Sequence, residues 1–474
     1  MNGAHAFDDF AFNGIDAITG EYLWPRIGID RLIQLLGGRE EKPGVNEALL
    51  ADLSERVKRD RDPKIALRRG DARDLSQTGW AVIFASDSDP DVVSALRPLL
   101  DHRRSQATTK NGKSHFYQEF CGDRGHQRGD GKVEFLERLK VPPHSDADPD
   151  RLPYYLLIVG DPERIPFQFQ YEMDVEYAVG RISFESVEEY RRYAETIIRS
   201  ETLPRGQPVR GLFFGPSSER DEATRLSSEQ LVAPLVLSMK RIFGANIQDF
   251  LGSEATKSCM LDALGIDRPA FLFSATHGLG FPSTDRRLFS KQGALLCADW
   301  PGPSYRGELS PDWYLSADDL SDSVDLTGMI TFHFACYGAG TPAYNDFPKD
   351  DFSKVLPQRI SPVAFVAALS KRLLSRGVLA TIGHVERAWT CSFVSGNGTP
   401  QLAAFEDACR YILEGWPVGA AMEPFNRRFA SLAVRLSDLL TRNPRDDNRA
   451  VLTLIDHNDA RNYVIIGDPA ARIS

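Results

Sequence analysis

The stretch FHFACYGAG, residues 332–340, runs an apolar strand into a cysteine and then into a Gly-x-Gly turn. Either Cys336 is a core residue that closes a strand, or it is a nucleophile held at the edge of a sheet. Free cysteine is among the most buried residue types, so core is the ordinary expectation for an isolated case. The strand before it, 329–335, is one of a set of short apolar runs rich in β-branched residues, the others being 80–85, 154–159, 211–215, 270–275, 378–383 and 463–467. Continuous apolar runs suit strands covered on both faces. Between them lie helical periods at 92–102, 186–201, 227–243, 362–375, 400–414 and 418–440. That alternation predicts βα units around a largely parallel sheet.

The chain has 474 residues, 42% of them hydrophobic and 26% charged, enough to bury a sizeable core and to form more than one unit. A net charge of -10 excludes a generally basic, nucleic-acid-binding surface. The opening MNGAHAFDDFAF has no basic head followed by an apolar stretch, and no run approaches the ~18 apolar residues of a membrane span. A cytoplasmic protein without membrane contact is expected. The six cysteines are scattered without a C-x-x-C pair, which speaks against a structural zinc site or a disulfide framework and for reduced thiols.

One echo helps to divide the chain. YYLLIVGDPERI and NYVIIGDPAARI both carry an apolar strand into Gly-Asp-Pro, then Glu-Arg-Ile or Ala-Ala-Arg-Ile. Gly-Asp-Pro is a good strand-ending turn in its own right, and the pair also suggests two related α/β halves. The Pro/Gly-rich stretch 201–211 marks the boundary between them. The expected organisation is a lead-in of unread role at 1–75, a non-catalytic α/β subdomain at 76–205 and a catalytic α/β subdomain at 206–474. Residues 103–131 read as a long surface loop.

Two strands of the second half end in chemically loaded turns. FLFSATHGLG places His277 before Gly278, and ITFHFACYGAG places Cys336 before Tyr337 and Gly338. In an open parallel sheet, residues just past the carboxyl ends of neighbouring strands converge on a crevice. A thiol is mostly protonated at neutral pH and needs an imidazole to supply thiolate, so a His and a Cys delivered this way form a candidate dyad. The glycine turns would let backbone N–H groups approach a developing oxyanion, donors worth roughly 3 kcal/mol each. His333, three residues before Cys336, points to the opposite face of a regular strand and cannot share a metal ion with it. His384 ends the next strand and is a candidate for the substrate wall or a spare base. With no metal-ligand spacing and no Gly-x-Gly-x-x-Gly or Gly-x-x-x-x-Gly-Lys phosphate loop, no metal or organic cofactor is expected.

An apolar strand into His-Gly and a second into Ala-Cys-x-Gly, 59 positions apart from His277 to Cys336, resembles the caspase-like cysteine peptidases. YYLLIVGDPERIP followed by VGRISFESVEEYRRYAETIIRSE resembles the paired-subdomain layout of gingipain-type peptidases, and FACYGAGTP with ATIGHVERAWTCSF resembles bacterial CHAT-type relatives. The resemblance spans about 80–474. It implies a caspase-hemoglobinase-like α/β fold, with largely parallel sheets flanked by helices and two related subdomains. It further implies an endopeptidase with His277 as base and acid, Cys336 as nucleophile, and the Gly278 and Cys336 amides as oxyanion hole. Substrate-pocket candidates are Glu386, Arg387, His384 and Trp389. Glu386 facing the pocket would favour a basic substrate residue and Arg387 an acidic one, while a solvated surface pair is the alternative expectation for both. The implied partners are a protein or peptide substrate and an activating protein partner, with a role in a defence or cell-death system. Loops 281–291 and 341–358 are candidate sites of cleavage or ordering. A pseudoenzyme that keeps the crevice to bind a peptide or effector is the competing reading.

Overall fold

The computed structural model describes residues 9–10, 13–23, 27–28, 70–143, 145–202, 208–345, 359–395, 398–441 and 448–473. Ten strands make the central sheet: β1 (Trp80–Phe84), β2 (Tyr117–Phe120), β3 (Tyr155–Val159), β4 (Ala178–Ile182), β5 (Gly211–Pro216), β6 (Ile247–Gly252), β7 (Phe271–Ala275), β8 (Ile330–Phe334), β9 (Ala380–His384) and β10 (Tyr463–Gly467). They lie in the order β2-β1-β3-β4-β10-β9-β8-β7-β5-β6. Neighbours run parallel, apart from the antiparallel pair β9 and β10. The eight inner strands are buried at every position, and only the edge strands β2 and β6 show mixed exposure. This is the pattern of a parallel sheet covered by helices.

The sequence runs at 80–85, 154–159, 211–215, 270–275, 329–335, 378–383 and 463–467 all coincide with strands. Three strands went unread. The edge strands β2 (YQEF) and β6 (IQDFLG) lack a continuous apolar run because one side meets solvent. β4 (AVGRI) is disguised by Gly180 and Arg181. A Cβ at Gly180 would lie 2.2 Å from the Gly467 carbonyl oxygen, so the seam with β10 demands glycine. Arg181 is fully buried, donating to Gln170 Oε1 at 3.0 Å and to the carbonyls of Gly160 and Pro166.

The expected surface loop at 103–131 is corrected. Helix α1 (Pro90–Thr108) continues past His102, and β2 follows after a short turn. The segment looked solvated because it is charged, yet Arg103 is buried and bonds Asp468 Oδ2 at 2.8 Å and Glu201 Oε1 at 2.7 Å. Helix α1 packs against α2 (Val187–Thr202). On the other half of the sheet lie α3 (Ala233–Phe243), α4 (Ala368–Ser375), α5 (Ala403–Leu413), α6 (Glu423–Thr441) and α7 (Asn448–Arg461). The helix expected at 362–375 starts only at Ala368, because Phe365–Val366 form a short strand paired with Gly340–Thr341. Among the described residues no helix is long and apolar enough to cross a membrane.

The two Gly-Asp-Pro turns follow β3 and β10, and each glycine has a left-handed φ, 145° at Gly160 and 136° at Gly467. The first is an ordinary Asx turn, with Asp161 Oδ1 accepting from the Glu163 and Arg164 amides. The second is buried and carries the Arg103 ion pair. The final strand, β10, pairs with β9 on one side and β4 on the other, so both halves share one continuous sheet.

Part of the lead-in folds onto the second half. Gly14–Asp16 pairs with Gly278–Gly280 in a four-stranded sheet completed by Leu295–Leu296 and Tyr314–Leu315. Ile15 is buried there with Leu279, Leu296 and Trp300. Most of the remaining lead-in, and 346–358 of the loop after the cysteine, lie outside the described residues.

Candidate active site

Strands β7 and β8 run in parallel register, Ala275 beside Phe334, so the turns after them meet. The Thr276 amide donates to the Phe334 carbonyl at 3.1 Å. A Cβ at Gly278 would lie 1.8 Å from the Cys336 carbonyl oxygen, and no side chain fits where these backbones touch. Tyr337, just past the cysteine, is left-handed at φ 59°, a conformation that costs about 1–2 kcal/mol in an L-residue. Its amide donates to the Glu386 carbonyl at 2.7 Å and the Gly338 amide closes the turn on Ala335 at 3.2 Å, holding the strained residue in place.

His277 is fully buried, with Nε2 at 2.8 Å from Asp221 Oδ2. That contact puts the ring proton on Nε2 and leaves Nδ1 as the basic nitrogen. Nδ1 hydrogen-bonds to none of the described residues. Tyr22 and Trp300 each meet the imidazole edge-on, with ring centroids 5.8 Å away, fixing its plane. Asp221 also accepts from the Tyr22 hydroxyl at 2.6 Å and from Thr224. Burial alone would raise its carboxyl, but the electrostatic pull of His277 and these hydrogen bonds outweigh it and hold the group below the usual carboxylate range. Cys336 is likewise fully buried, and its Sγ accepts from the Ala388 amide at 3.3 Å. Burial pushes the thiol up to about 12 against the lowering effect of that amide and of Arg387. Such a thiol becomes a nucleophile only as a base takes its proton.

The crevice is filled by the chain itself. The Asn13 carbonyl oxygen accepts from both the Gly278 amide at 3.0 Å and the Cys336 amide at 3.2 Å, while the Asn13 amide donates to the Ala388 carbonyl at 3.1 Å. Asn13 is fully buried, and its side-chain amide hydrogen-bonds to none of the described residues. The two donors that would stabilise an oxyanion therefore converge on one peptide carbonyl, and one of them belongs to the residue that carries the thiol.

The expectation of a solvated Glu386/Arg387 pair is corrected: both are buried, and Arg387 Nη1 bonds Glu386 Oε1 at 3.0 Å and Asn345 Oδ1 at 2.7 Å. Strand alternation, which would send them to opposite sides, does not apply past the end of β9. Each charge is answered by the other, so neither by itself argues for an acidic or a basic substrate. His384 is buried, its Nδ1 held by the Arg387 carbonyl at 2.9 Å and its ring edge-on to Tyr463 at 4.1 Å. Trp389 is also buried, with its amide on Asp459 Oδ1 at 3.0 Å. His333 is buried and bonded to Ser274 Oγ at 2.7 Å across the strands.

Sequence reasoning missed Asp221, Tyr22, Trp300 and Asn13. Asp221 had a legible signal, since it follows the carboxyl end of β5, the neighbour of β7 in the sheet. Asn13 had none, because nothing local ties an irregular lead-in to a turn more than 250 residues away.

No family model matches the chain, and no curated protein sequence is significantly similar to it. Among solved structures, one described as a protease is similar over 84% of this chain and 78% of its own, at 13% identity and a TM-score of 0.47. The Arg-specific cysteine proteinase gingipain R is similar over 86% and 80%, at 11% identity and a TM-score of 0.49. The complex of the pro- and mature domains of Porphyromonas gingivalis RgpB is similar over 83% and 80%, at 11% identity and a TM-score of 0.42.

Proposed function

We propose that this chain is a cysteine endopeptidase of caspase-like architecture, acting on protein or peptide substrates through Cys336 and His277. The observation that carries the reading is the convergence of the Gly278 and Cys336 amides on one peptide carbonyl, beside a thiol and an aspartate-held imidazole. His277 Nδ1 takes the thiol proton as Sγ attacks the substrate carbonyl carbon. The oxygen gathers negative charge between the two amides, an environment worth about 10²–10³ in rate per donor. Collapse breaks the C–N bond, and the imidazolium gives its proton to the departing amine. Water, deprotonated by His277, then cleaves the thioester and returns the thiol. Asp221 keeps the tautomer and stabilises the imidazolium. The Ala388 carbonyl, which holds the Asn13 amide, would hold the amide of the residue before the scissile bond.

An added substrate must displace residues around Asn13 from the crevice. A trigger or protein partner that moves or removes this segment is therefore part of the proposal. The test is labelling of intact protein by peptide acyloxymethyl ketones ending in Arg, Lys, Asp, Leu or Asn, read by mass spectrometry. Label confined to Cys336, and lost in Cys336→Ala and His277→Ala, is expected. Label spread over the exposed Cys121 and the half-buried Cys259 while sparing Cys336 would leave a binding crevice without chemistry.

A further inference from the structure

The segment in the crevice is placed as a substrate is. From Asn13 and Gly14 we infer that the Asn13–Gly14 peptide bond is itself a substrate of this site, cut by the chain's own Cys336, and that the site accepts asparagine on the acyl side. The inference rests on the peptidase reading and goes beyond it by naming the bond and the side chain. Three hydrogen bonds define the pose: the carbonyl before the bond lies in the paired amides of Gly278 and Cys336, and the amide of the same residue is fixed by Ala388. On the leaving side, Gly14, Ile15 and Asp16 pair in register with Gly278, Leu279 and Gly280, so the chain crosses the crevice in an extended, anchored form. Gly14 places no side chain beside the attacked carbon.

The enclosure sets the preference. Asn13 is fully buried, so a charged side chain in its place would be desolvated there. The wall segment that supplies Ala388 carries the internally neutralised Glu386/Arg387 pair, which suits an uncharged residue better than an ion. In the reaction, Sγ bonds to the Asn13 carbonyl carbon, the bond to the Gly14 nitrogen breaks, and that nitrogen leaves as an amine carrying the proton delivered by His277. Water then releases the Asn13 carboxylate and restores the thiol. Gly14 becomes a new N-terminus that the strand Gly14–Asp16 keeps beside the site, while the piece before it stays tied to the chain through the pairing of Asp9–Phe10 with Ile27–Gly28 and leaves only when that pairing opens. The crevice is then open to other chains.

The experiment follows intact mass and N-terminal sequence of the purified chain over hours, with acetyl-Phe-Ala-Phe-Asn-aminomethylcoumarin in the same tube to report peptidase turnover. The expected result is a chain beginning Gly14-Ile15-Asp16, absent in Cys336→Ala and Cys336→Ser, with turnover rising as the cut proceeds. Asn13→Arg should slow the cut about 100-fold, and Asn13→Gln less, if the pocket selects neutrality. Turnover by a chain that still begins at residue 1 overturns the self-cleavage and leaves the peptidase standing. A cut at Asn13–Gly14 that persists in Cys336→Ala assigns it to another agent and also overturns the inference. Absence of both cut and turnover overturns the self-cleavage, and if Cys336 also stays unlabelled by the acyloxymethyl ketones the peptidase reading falls with it.

Discussion

Two histidines flank Cys336 at the carboxyl ends of the neighbouring strands, and their surroundings separate them. His277, past β7, has its Nε2 on the buried Asp221 and its Nδ1 unbonded among the described residues. His384, closing β9, spends its Nδ1 on the Arg387 carbonyl and packs its ring on Tyr463 and Phe334. Both are fully buried, and both end a strand beside β8. The difference teaches that strand-end position makes a histidine a candidate, and that its partners decide what it can do. A carboxylate on one nitrogen prepares the other to accept a proton. For His384, burial lowers its basicity against the weaker pull of Asp459, so it is held neutral as a packing group.

The largest expected effect breaks the comparison directly. His277→Ala should lower kcat for peptide hydrolysis by ~10³ or more in the fraction that stays folded, whereas His384→Ala should leave the rate of the folded fraction within about tenfold, both variants losing stability because each empties a buried site. The reverse pattern would exchange their roles. Next in size is Asp221→Asn, which keeps the shape but loses the charge that fixes the tautomer; a fall of about 10² in kcat at nearly constant KM is expected in steady-state kinetics.

A pH titration sharpens the contrast further. Burial holds His384 below the ordinary imidazole range and brings His333 down to about 3. A base whose folded pKa is depressed binds protons more readily in the unfolded chain, so its contribution is intact above about 6.5 and is lost as pH falls from there toward the folded value, which for His333 is about 3, by up to ~1.4 kcal/mol per pH unit for each group. Urea midpoints measured at pH 7 and 5 should therefore drop less steeply in His384→Gln than in the parent; an unchanged slope would remove His384 from the acid response. The smallest effect is assigned to Tyr22→Phe. It deletes one hydroxyl donor to Asp221 and should reduce kcat about fivefold, the equivalent of one hydrogen bond of ~1 kcal/mol, without moving Tm by more than a few degrees.

Much of the sheet was legible because its inner strands are covered on both faces and read as unbroken apolar runs, as at 154–159 and 329–335. The strand-end turns were legible for a related reason: His277-Gly278 and Cys336-Tyr337-Gly338 interrupt those runs with residues that carry chemistry. The pocket wall was not legible. Alternation puts Glu386 and Arg387 on opposite sides, yet beyond the strand the backbone turns and the two meet in one buried pair. Nor was the buried charge network of Arg103, Glu201 and Asp468, since a charged helix segment looks solvated until distant partners compensate it.

The sequence by itself determined the α/β alternation, most of the inner strands and the pair of turns that could hold a thiol and an imidazole, because apolar periodicity and glycine placement are local properties. Only the tertiary structure decided which carboxylate holds His277, which histidine is packing and which peptide carbonyl lies between the Gly278 and Cys336 amides. Those are contacts between residues 56 positions apart for Asp221 and His277, and far more for Asn13. Register across the sheet brings them together, and no short-range pattern encodes it.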